Sequence, residues 1–330
     1  MAGTGKAHMR KTDNTVLSVE DLVVEFSLSK KTAVQAVSGI SFDLIQGETL
    51  SIVGESGCGK STLGKAILSL IPATSGSVMF GGSDMTKLDK EAIRKLRPQM
   101  QMIFQDPISS LDPRYTVKQL VAEPLEIWSR GNAEEQSIKV DELLNSVGID
   151  PAIAGDRKAY EFSGGQCQRI SIARSLALEP KLLICDEPVS ALDVSIQAQI
   201  LNLLQDMKER YGLTMVFISH DLSVVKAVST RILVMYLGKV CEIATPDSLY
   251  DSPKHHYTHA LVGSVPIPDP SKKVAQVILE GEPPSPVDPP SGCRFRTRCP
   301  VATDLCATEE PQLRDMGGGN YVACHHPRTY

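Results

Sequence analysis

One short segment carries the residue types that bind the phosphates of a nucleotide. It reads Gly54-Glu55-Ser56-Gly57-Cys58-Gly59-Lys60-Ser61 and fits the pattern G-x-x-x-x-G-K-[ST]. The glycines let the backbone curve around a β-phosphate, so that successive N–H groups face the anion. Lys60 can then approach the β- and γ-phosphate oxygens, Ser61 can ligate Mg²⁺ and Thr62 can donate to the α-phosphate. This segment with Thr62, called the P-loop below, predicts a nucleotide site.

Two adjacent carboxylates follow an apolar stretch further along the chain. The run is Leu182-Leu183-Ile184-Cys185-Asp186-Glu187. After a buried strand, Asp186 can hold Mg²⁺ through its water shell, and Glu187 can polarise an attacking water as general base. Two acids at a strand end can also be solvated loop residues, but a P-loop upstream favours the catalytic interpretation.

A second glycine-rich helix start lies at Ser163-Gly164-Gly165-Gln166, called the signature segment below. Its N–H groups and the helix dipole provide a second place for an anion. The chain has one P-loop but two helix starts that suit phosphate. We therefore expect two chains to share each nucleotide.

Alternating strand and helix patterns surround these motifs. Strand patterns cover 17–44 with a turn-rich gap, 49–53, 77–80, 181–185, 213–218 and a hairpin over 231–244, and helical patterns cover 60–70, 118–147 with a break at Gly131-Asn132, a stretch after Gly165, 196–210 and 222–228. Continuously apolar strands between helices predict an α/β fold with a sheet covered on both faces. Residues from about 107 to 178 are predicted to form an inserted helical subdomain.

Composition limits the function classes. The chain has 330 residues, which is more than one average domain, and a net charge of −5, which gives no electrostatic reason to bind nucleic acid. No run of about 18 apolar residues occurs, so we expect no membrane span. Residues 1–15 are polar and lack an apolar core, which predicts a flexible tail rather than a signal peptide.

From about residue 17 to 244, the order and spacing of these motifs resemble the ATP-binding cassette (ABC) family. The resemblance implies a P-loop NTPase with a RecA-like core, an antiparallel β subdomain and a helical subdomain. It further implies that Gln105 contacts the metal or the attacking water and that His220 contacts the γ-phosphate. Phe26 takes the place of an aromatic residue that stacks on adenine. Ser190-Ala191-Leu192-Asp193 takes the place of the D-loop, which crosses between two ATP sites.

The family resemblance also implies a mechanism. Two cassettes close head to tail over two ATP molecules, so that residues 163–166 act on the nucleotide held by the Lys60 of another subunit. The coupling helices of a membrane permease dock near residues 105–115. Closure moves the membrane helices, and hydrolysis resets them, which requires that ATP bind the closed state better than the open state.

Half of the cysteines lie in the last 38 residues, beyond a proline-rich stretch that predicts a semi-rigid linker. Their spacing is Cys293-x5-Cys299-x6-Cys306-x17-Cys324, which is not the usual zinc-ribbon spacing. Four thiolates can hold zinc or an iron–sulfur cluster, and the residue pattern alone does not choose between them. Because this part has too few apolar residues for a core, we expect a metal to staple it.

Two segments of this part resemble the C-terminal extension of oligopeptide/dipeptide permease ATPases. They are 290–300, which contains Cys293 and Cys299, and His255-His256-Tyr257-Thr258. The resemblance implies a [4Fe-4S] cluster rather than zinc. Arg294, Arg296 and Arg298 would offset the charge of that cluster, or would simply be solvated. The predicted domains are a tail (1–15), a nucleotide-binding domain (16–262) and an extension with a four-cysteine metal site (263–330).

The resemblance predicts an ATP-hydrolysing subunit of an importer of oligopeptides or dipeptides, with ATP and Mg²⁺ as ligands. Its partners are a second cassette, identical or paralogous, two permease subunits and an extracytoplasmic binding protein, and it binds no nucleic acid. It is expected at the cytoplasmic face of the plasma membrane, as a peripheral protein. The alternatives are an importer of nickel, glutathione or oligosaccharide, and a soluble ABC ATPase that acts on nucleic acid.

Overall fold

The computed structural model describes residues 5–10, 12–29, 32–265, 279 and 281–330. The strands are β1 (Thr15–Ser27), β2 (Ala33–Ile45), β3 (Thr49–Val53), β4 (Ser75–Phe80), β5 (Ser83–Asp84), β6 (Met100–Ile103), β7 (Leu182–Asp186), β8 (Thr214–Ser219), β9 (Arg231–Tyr236), β10 (Lys239–Ala244), β11 (Arg314–Asp315) and β12 (Tyr321–Val322). The helices are α1 (Lys60–Ile67), α2 (Lys90–Leu96), α3 (Val117–Ile127), α4 (Ala133–Ser146), α5 (Pro151–Ala154), α6 (Gly164–Leu176), α7 (Val194–Tyr211), α8 (Leu222–Val228), α9 (Pro246–Asp251), α10 (His256–Gly263) and α11 (Asp304–Thr308). No helix among these residues has both the length and the apolar character needed to cross a membrane.

The chain divides into two compact units. The first comprises Met1–Asp89 and Phe217–Tyr330, and the second is Lys90–Val216. The second unit is larger than the helical subdomain predicted over about 107–178, because it also contains α2, β6, β7 and α7. The C-terminal extension falls in the first unit, with the P-loop.

The first unit contains an antiparallel sheet and a mostly buried layer of strands. The antiparallel sheet has the order β2-β1-β4-β5, and alternate residues of β1 such as Leu17 and Val19 point into the core. Five further strands follow the order β11-β12-β10-β9-β3. β3 and β9 are parallel and wholly buried, as their continuous apolar runs predicted. β9 and β10 form the predicted hairpin at Leu237-Gly238.

The described part of the N-terminal segment contacts the fold of the first unit. Lys6 pairs with Glu20 at 3.1 Å, and Arg10 pairs with the buried Glu48 at 2.5 Å. His8 is buried, and its Nε2 donates to the carbonyl oxygen of Ser41 at 2.7 Å. These contacts differ from the flexible tail that the polar composition predicted.

The second unit combines parallel strands with helices. β7 pairs in parallel with β6, and β8 follows on the other side of β7. Helices α3, α4 and α6 pack against one another. The predicted break near residue 131 is the start of α4, where Asn132 accepts hydrogen bonds from the N–H groups of Glu134 and Glu135 as an N-cap. This unit therefore holds the signature segment at the start of α6 and the two carboxylates at the end of β7.

Candidate functional site

The P-loop lies between a buried strand and a helix, as its pattern predicted. β3 ends at Val53, and α1 begins at Lys60. Gly54 has a φ of +155°, and a Cβ on it would lie 2.1 Å from the carbonyl oxygen of Met235. A side chain cannot fit there, so the loop is wrapped tightly against β9. This cradle of backbone N–H groups at a helix start suits the phosphates of ATP.

Lys60 is held inside the P-loop. Its side chain is buried, and its Nζ donates to the carbonyl oxygens of Gly54 at 2.8 Å and Glu55 at 3.0 Å. Cys58 is buried beside it, and burial raises the pKa of its thiol even though the Lys60 charge acts in the opposite direction. The ammonium group is thus placed at the loop, with donors that can turn to phosphate oxygens.

Two residues from beyond β10 contact the second residue of the P-loop. The Glu55 N–H donates to Tyr257 Oη at 2.9 Å. The Glu55 carboxylate pairs with the Arg298 guanidinium at 2.9 and 3.1 Å. Sequence reasoning missed both contacts. The only signal for them was an acid inside an anion-binding loop together with arginines in the extension.

In the second unit, the structure brings two predicted catalytic residues together. β7 is buried throughout and ends at Asp186, which is also buried. Glu187 follows with a left-handed φ of +47°, which is uncommon for a side chain of this kind. Gln105 Nε2 donates to Glu187 Oε2 at 3.0 Å. Gln105 therefore orients the carboxylate that the sequence assigned to the attacking water.

The signature segment begins α6 with two reciprocal hydrogen bonds between its own residues. Ser163 is the N-cap of α6: its hydroxyl accepts from the Gln166 N–H, and the Gln166 side chain accepts from the Ser163 N–H at 3.0 Å. Both side chains are exposed. A Cβ on Gly165 would lie 2.6 Å from Ile196 Cγ2, so this glycine lets α7 approach closely. The helix start is thereby fixed while its tip faces outward.

The D-loop adjoins the signature segment in this unit. A Cβ on Gly164 would lie 3.6 Å from Leu192 Cδ2, which is ordinary contact distance. Gln197 Nε2 donates to the carbonyl oxygens of Val189 and Leu192 at 3.1 and 3.0 Å, which fixes the turn of residues 190–193. The two segments therefore lie next to each other in this unit.

His220 and Phe26 both present exposed side chains in the first unit. His220 follows directly on β8, and the next residue, Asp221, caps α8 by accepting from the Ser223 N–H. Phe26 lies near the end of β1 and is 40% exposed. An aromatic face that is open to this extent can stack on a base, which a core position could not do.

The prediction of a metal site in the extension is wrong. Among the residues that the structure describes, no group of three or more His, Cys, Asp or Glu side chains is arranged to hold a metal ion. Neither a [4Fe-4S] cluster nor zinc on Cys293, Cys299, Cys306 and Cys324 is supported. These four are free cysteines, and burial raises the pKa of Cys293 and of Cys324 to about 11, which favours the neutral thiol.

The extension packs on the rest of the first unit, which contributes apolar contacts to it. We call residues 281–330 the C-terminal segment. Phe295 is 1% exposed, and its ring lies 5.3 Å from Tyr236 and 5.4 Å from Tyr257. β12 pairs with β10 at Val322 and Glu242. The apolar core that supports this segment therefore comes from the cassette.

The arginines of the segment have protein partners rather than a cluster to neutralise. Arg294 donates to the Leu237 carbonyl oxygen and to Gln35 Oε1, each at 2.5 Å, and Arg296 donates to Ser291. The Arg294 bonds and the Arg298–Glu55 pair join the C-terminal segment to the cassette, whereas the Arg296 bond lies within the segment.

Two family models match the chain. One, described as ABC transporter, matches residues 37–190, and the other, described as the C-terminal region of oligopeptide/dipeptide transporters, matches residues 241–306. The protein YkfD of Bacillus subtilis is 50% identical over 94% of this chain and 95% of its own length. The oligopeptide transport ATP-binding protein AppF of the same organism is 48% identical over 94% of this chain and 97% of its own length.

Solved structures give the same class. The CbiO1 protein of Clostridium perfringens, part of an ABC transporter complex, has a TM-score of 0.65 and 30% identity over 73% of this chain and 92% of that chain. The dimeric cassette MJ0796, in a post-hydrolysis state with ADP and Pi, has a TM-score of 0.64 and 29% identity over 70% of this chain and 98% of that chain. The fold and the P-loop thus define an ABC-type ATPase, and the predicted cassette fold is confirmed. The comparisons do not confirm the cysteine-rich character of the predicted extension.

This chain belongs to the ATP-binding subunits of ABC transporters, in the group that carries the oligopeptide/dipeptide type of C-terminal region. It is an ATPase coupled to transport, and it binds ATP with Mg²⁺.

Proposed function

We propose that this ATPase energises the import of oligopeptides or dipeptides. The observation that carries the proposal is the joint presence, in one chain, of an ABC cassette and the C-terminal region of oligopeptide/dipeptide transporters. The name of AppF, an oligopeptide transport protein similar over almost the whole chain, points the same way. The chain would act at the cytoplasmic face of the plasma membrane, as a peripheral subunit.

In this proposal the site residues keep the roles that the sequence gave them. In the first unit, Lys60 and the P-loop amides would hold the β- and γ-phosphates, Phe26 would stack on the adenine, and Ser61 would ligate Mg²⁺. In the second unit, Asp186 and Gln105 would hold Mg²⁺ directly or through water. Glu187 takes the proton of the attacking water, and His220 contacts the γ-phosphate. The Gln105–Glu187 hydrogen bond supports this assignment, because it aims the base with a neutral donor.

A second cassette, identical or paralogous, supplies the signature segment to each nucleotide. The exposure of Ser163 and Gln166 supports this part of the proposal, since an exposed helix start presents the positive end of the helix dipole and attracts an anion. The D-loop at residues 190–193, which contacts the signature segment, would transmit the state of one site to the other.

The permease would dock on two neighbouring segments of the second unit. Exposed apolar side chains mark both: Ile108 and Tyr115 on one, and Ile153 and Tyr160 on the other. Hydrogen bonds tie the segments together, since the Val117 N–H donates to the Arg157 carbonyl oxygen at 2.9 Å. Large apolar side chains left exposed on joined segments are typical of a protein interface.

Reconstitution tests the cargo. The chain would be assembled in liposomes with its two permease subunits, its partner cassette and the extracytoplasmic binding protein, and ATP turnover would be measured with candidate ligands. We expect di- or oligopeptides to stimulate turnover and to accumulate in the vesicles. Stimulation by nickel, glutathione or oligosaccharide but not by peptides would contradict the proposal, and so would turnover that responds only to nucleic acid.

A further inference from the structure

Glu55, the second residue of the P-loop, forms hydrogen bonds with residues outside the loop through both its backbone and its side chain. The Glu55 N–H donates to Tyr257 Oη, and the Glu55 carboxylate accepts two hydrogen bonds from Arg298 Nη1. The Arg298 side chain is 7% exposed and that of Glu55 is 25% exposed. This ion pair is therefore largely shielded from water, unlike an exposed pair, which contributes little.

Packing fixes the position of the arginine. Its guanidinium lies 5.9 Å from the centre of the Tyr236 ring. The Arg298 N–H donates to the carbonyl oxygen of Phe295 at 3.0 Å, in a single helical turn. Phe295 itself packs against the rings of Tyr236 and Tyr257, which also contact each other. The buried aromatic cluster thus aims Arg298 at the P-loop.

The charge of Glu55 makes this contact important. The P-loop must accept a polyanion, and a carboxylate in the same loop repels it unless a cation offsets it. The charge of Glu55 is felt within the loop, because it contributes to the raised pKa of Cys58, although burial is the larger cause. Without Arg298, the Glu55 carboxylate would lose this ion pair while remaining in the loop that binds the phosphates.

We propose that Arg298 is a positioning residue for ATP binding. It acts through Glu55: it neutralises that carboxylate and, with Tyr257, holds the P-loop open to the phosphates. The C-terminal segment is therefore a working part of the ATP site, and a chain shortened before Arg298 would bind nucleotide poorly. The inference rests on the proposed role of the P-loop residues.

A double-mutant cycle on the full chain tests this, with the dissociation constant of Mg·ATP measured by calorimetry. We expect Arg298→Met to weaken binding about tenfold, which corresponds to one partly screened charge near the phosphates. In a Glu55→Gln background the same change should weaken binding by about twofold or less, because no carboxylate is left to neutralise. Arg298→Lys keeps the charge and should lose about threefold at most.

Arg296→Met is the matched control, since it removes an arginine two residues away that donates to Ser291 and not to the P-loop. Its affinity for Mg·ATP should equal that of the parent. Thermal unfolding is recorded for every variant, and Arg298→Gln replaces the methionine variant in the cycle if the latter does not fold.

Two results overturn the inference: parental affinity in Arg298→Met, or an equal loss in the presence and absence of the Glu55 carboxylate. A parent chain that does not bind Mg·ATP at all would instead refute the proposed function of the P-loop. The two failures are thereby distinguishable.

Discussion

The molecule has two glycine-rich helix starts, the P-loop and the signature segment, which differ in how far the rest of the chain contacts them. Contacts with other parts of the chain support the P-loop. Gly54 packs against the backbone of Met235, and Glu55 forms hydrogen bonds with Tyr257 and Arg298. The signature segment satisfies its first donors by the reciprocal cap between Ser163 and Gln166 and stays exposed. The P-loop is thus supported by contacts within its own chain, and in the proposed function the exposed signature segment would meet a nucleotide held by another chain.

The largest loss of stability should come from adding a side chain at Gly54, where the P-loop lies closest to β9. Gly54→Ala would place a Cβ 2.1 Å from the Met235 carbonyl oxygen, which β9 cannot move away. We expect a loss of about 3 kcal/mol in the free energy of unfolding and no measurable ATP binding. Urea unfolding and calorimetry measure both.

Gly57→Ala is the control in the same loop. Gly57 has a φ of +77°, but a Cβ added to it would meet no atom within 4 Å, so only backbone strain of about 1 kcal/mol is expected. If the two variants proved equally stable, the tight support of the P-loop would be refuted.

A second prediction separates binding from hydrolysis. Glu187→Gln keeps an acceptor for Gln105 but removes the base, so turnover should fall at least about 100-fold while Mg·ATP still binds. Phosphate release and equilibrium binding check the two halves. Glu142→Gln, an exposed carboxylate on α4, should keep the parental rate. If Glu187→Gln hydrolysed ATP at the rate of the parent, Glu187 would not be the general base.

Adenine stacking is expected to matter less. Phe26→Ala should weaken Mg·ATP binding about fivefold to tenfold, which is the lower end of the about 1–3 kcal/mol that stacking on an aromatic ring contributes per base. Phe26→Tyr keeps the ring and should bind like the parent. Leu28→Ala removes a more exposed side chain two residues on, and it should also bind like the parent. Unchanged affinity in Phe26→Ala would assign Phe26 to packing alone.

A further effect concerns pH, and it distinguishes the supports of the two helix starts. His255 is buried, its Nδ1 accepts from the Tyr257 N–H, and burial lowers its pKa to about 3. Below pH 6.5 the unfolded chain gains a proton on His255 that the folded chain does not. Stability is therefore fully present above pH 6.5 and declines by about 2 kcal/mol on going down to pH 5.

His255→Asn tests this assignment, because asparagine caps a helix equally well and does not titrate. Unfolding by urea between pH 7.5 and 5 should show a flatter pH dependence than in the parent. The cap of the signature segment, formed by serine and glutamine, has no titrating group and contributes no such slope. An unchanged slope in the variant would contradict the role of His255.

The sequence was sufficient for the parts of the molecule that depend on local pattern. The hairpin around Leu237-Gly238, the helix after the P-loop and the buried strand ending at Asp186 all lie where periodicity placed them. The site motifs could be found for the same reason, since each consists of neighbouring residues at a strand end or a helix start.

Contacts between distant residues could not be predicted. Arg298 and Glu55 are 243 positions apart, and no local pattern links them. The buried His8 lies in a segment whose composition resembles a solvated tail. The metal prediction failed because it assumed that the C-terminal segment must stabilise itself, whereas Phe295 inserts into the aromatic cluster of the cassette.

The central claim is that a nucleotide on this P-loop is completed by the signature segment of another cassette. It is tested by cross-linking the Glu187→Gln chain, saturated with Mg·ATP and assembled with its natural partner cassette and permeases, through a maleimide-linked photo-cross-linker attached to the cysteine of Ser163→Cys. We predict an ATP-dependent cross-link to the P-loop of the facing cassette, lost when Lys60 of that cassette is replaced by alanine. An ATP-loaded complex in which Ser163 meets no P-loop would contradict the account.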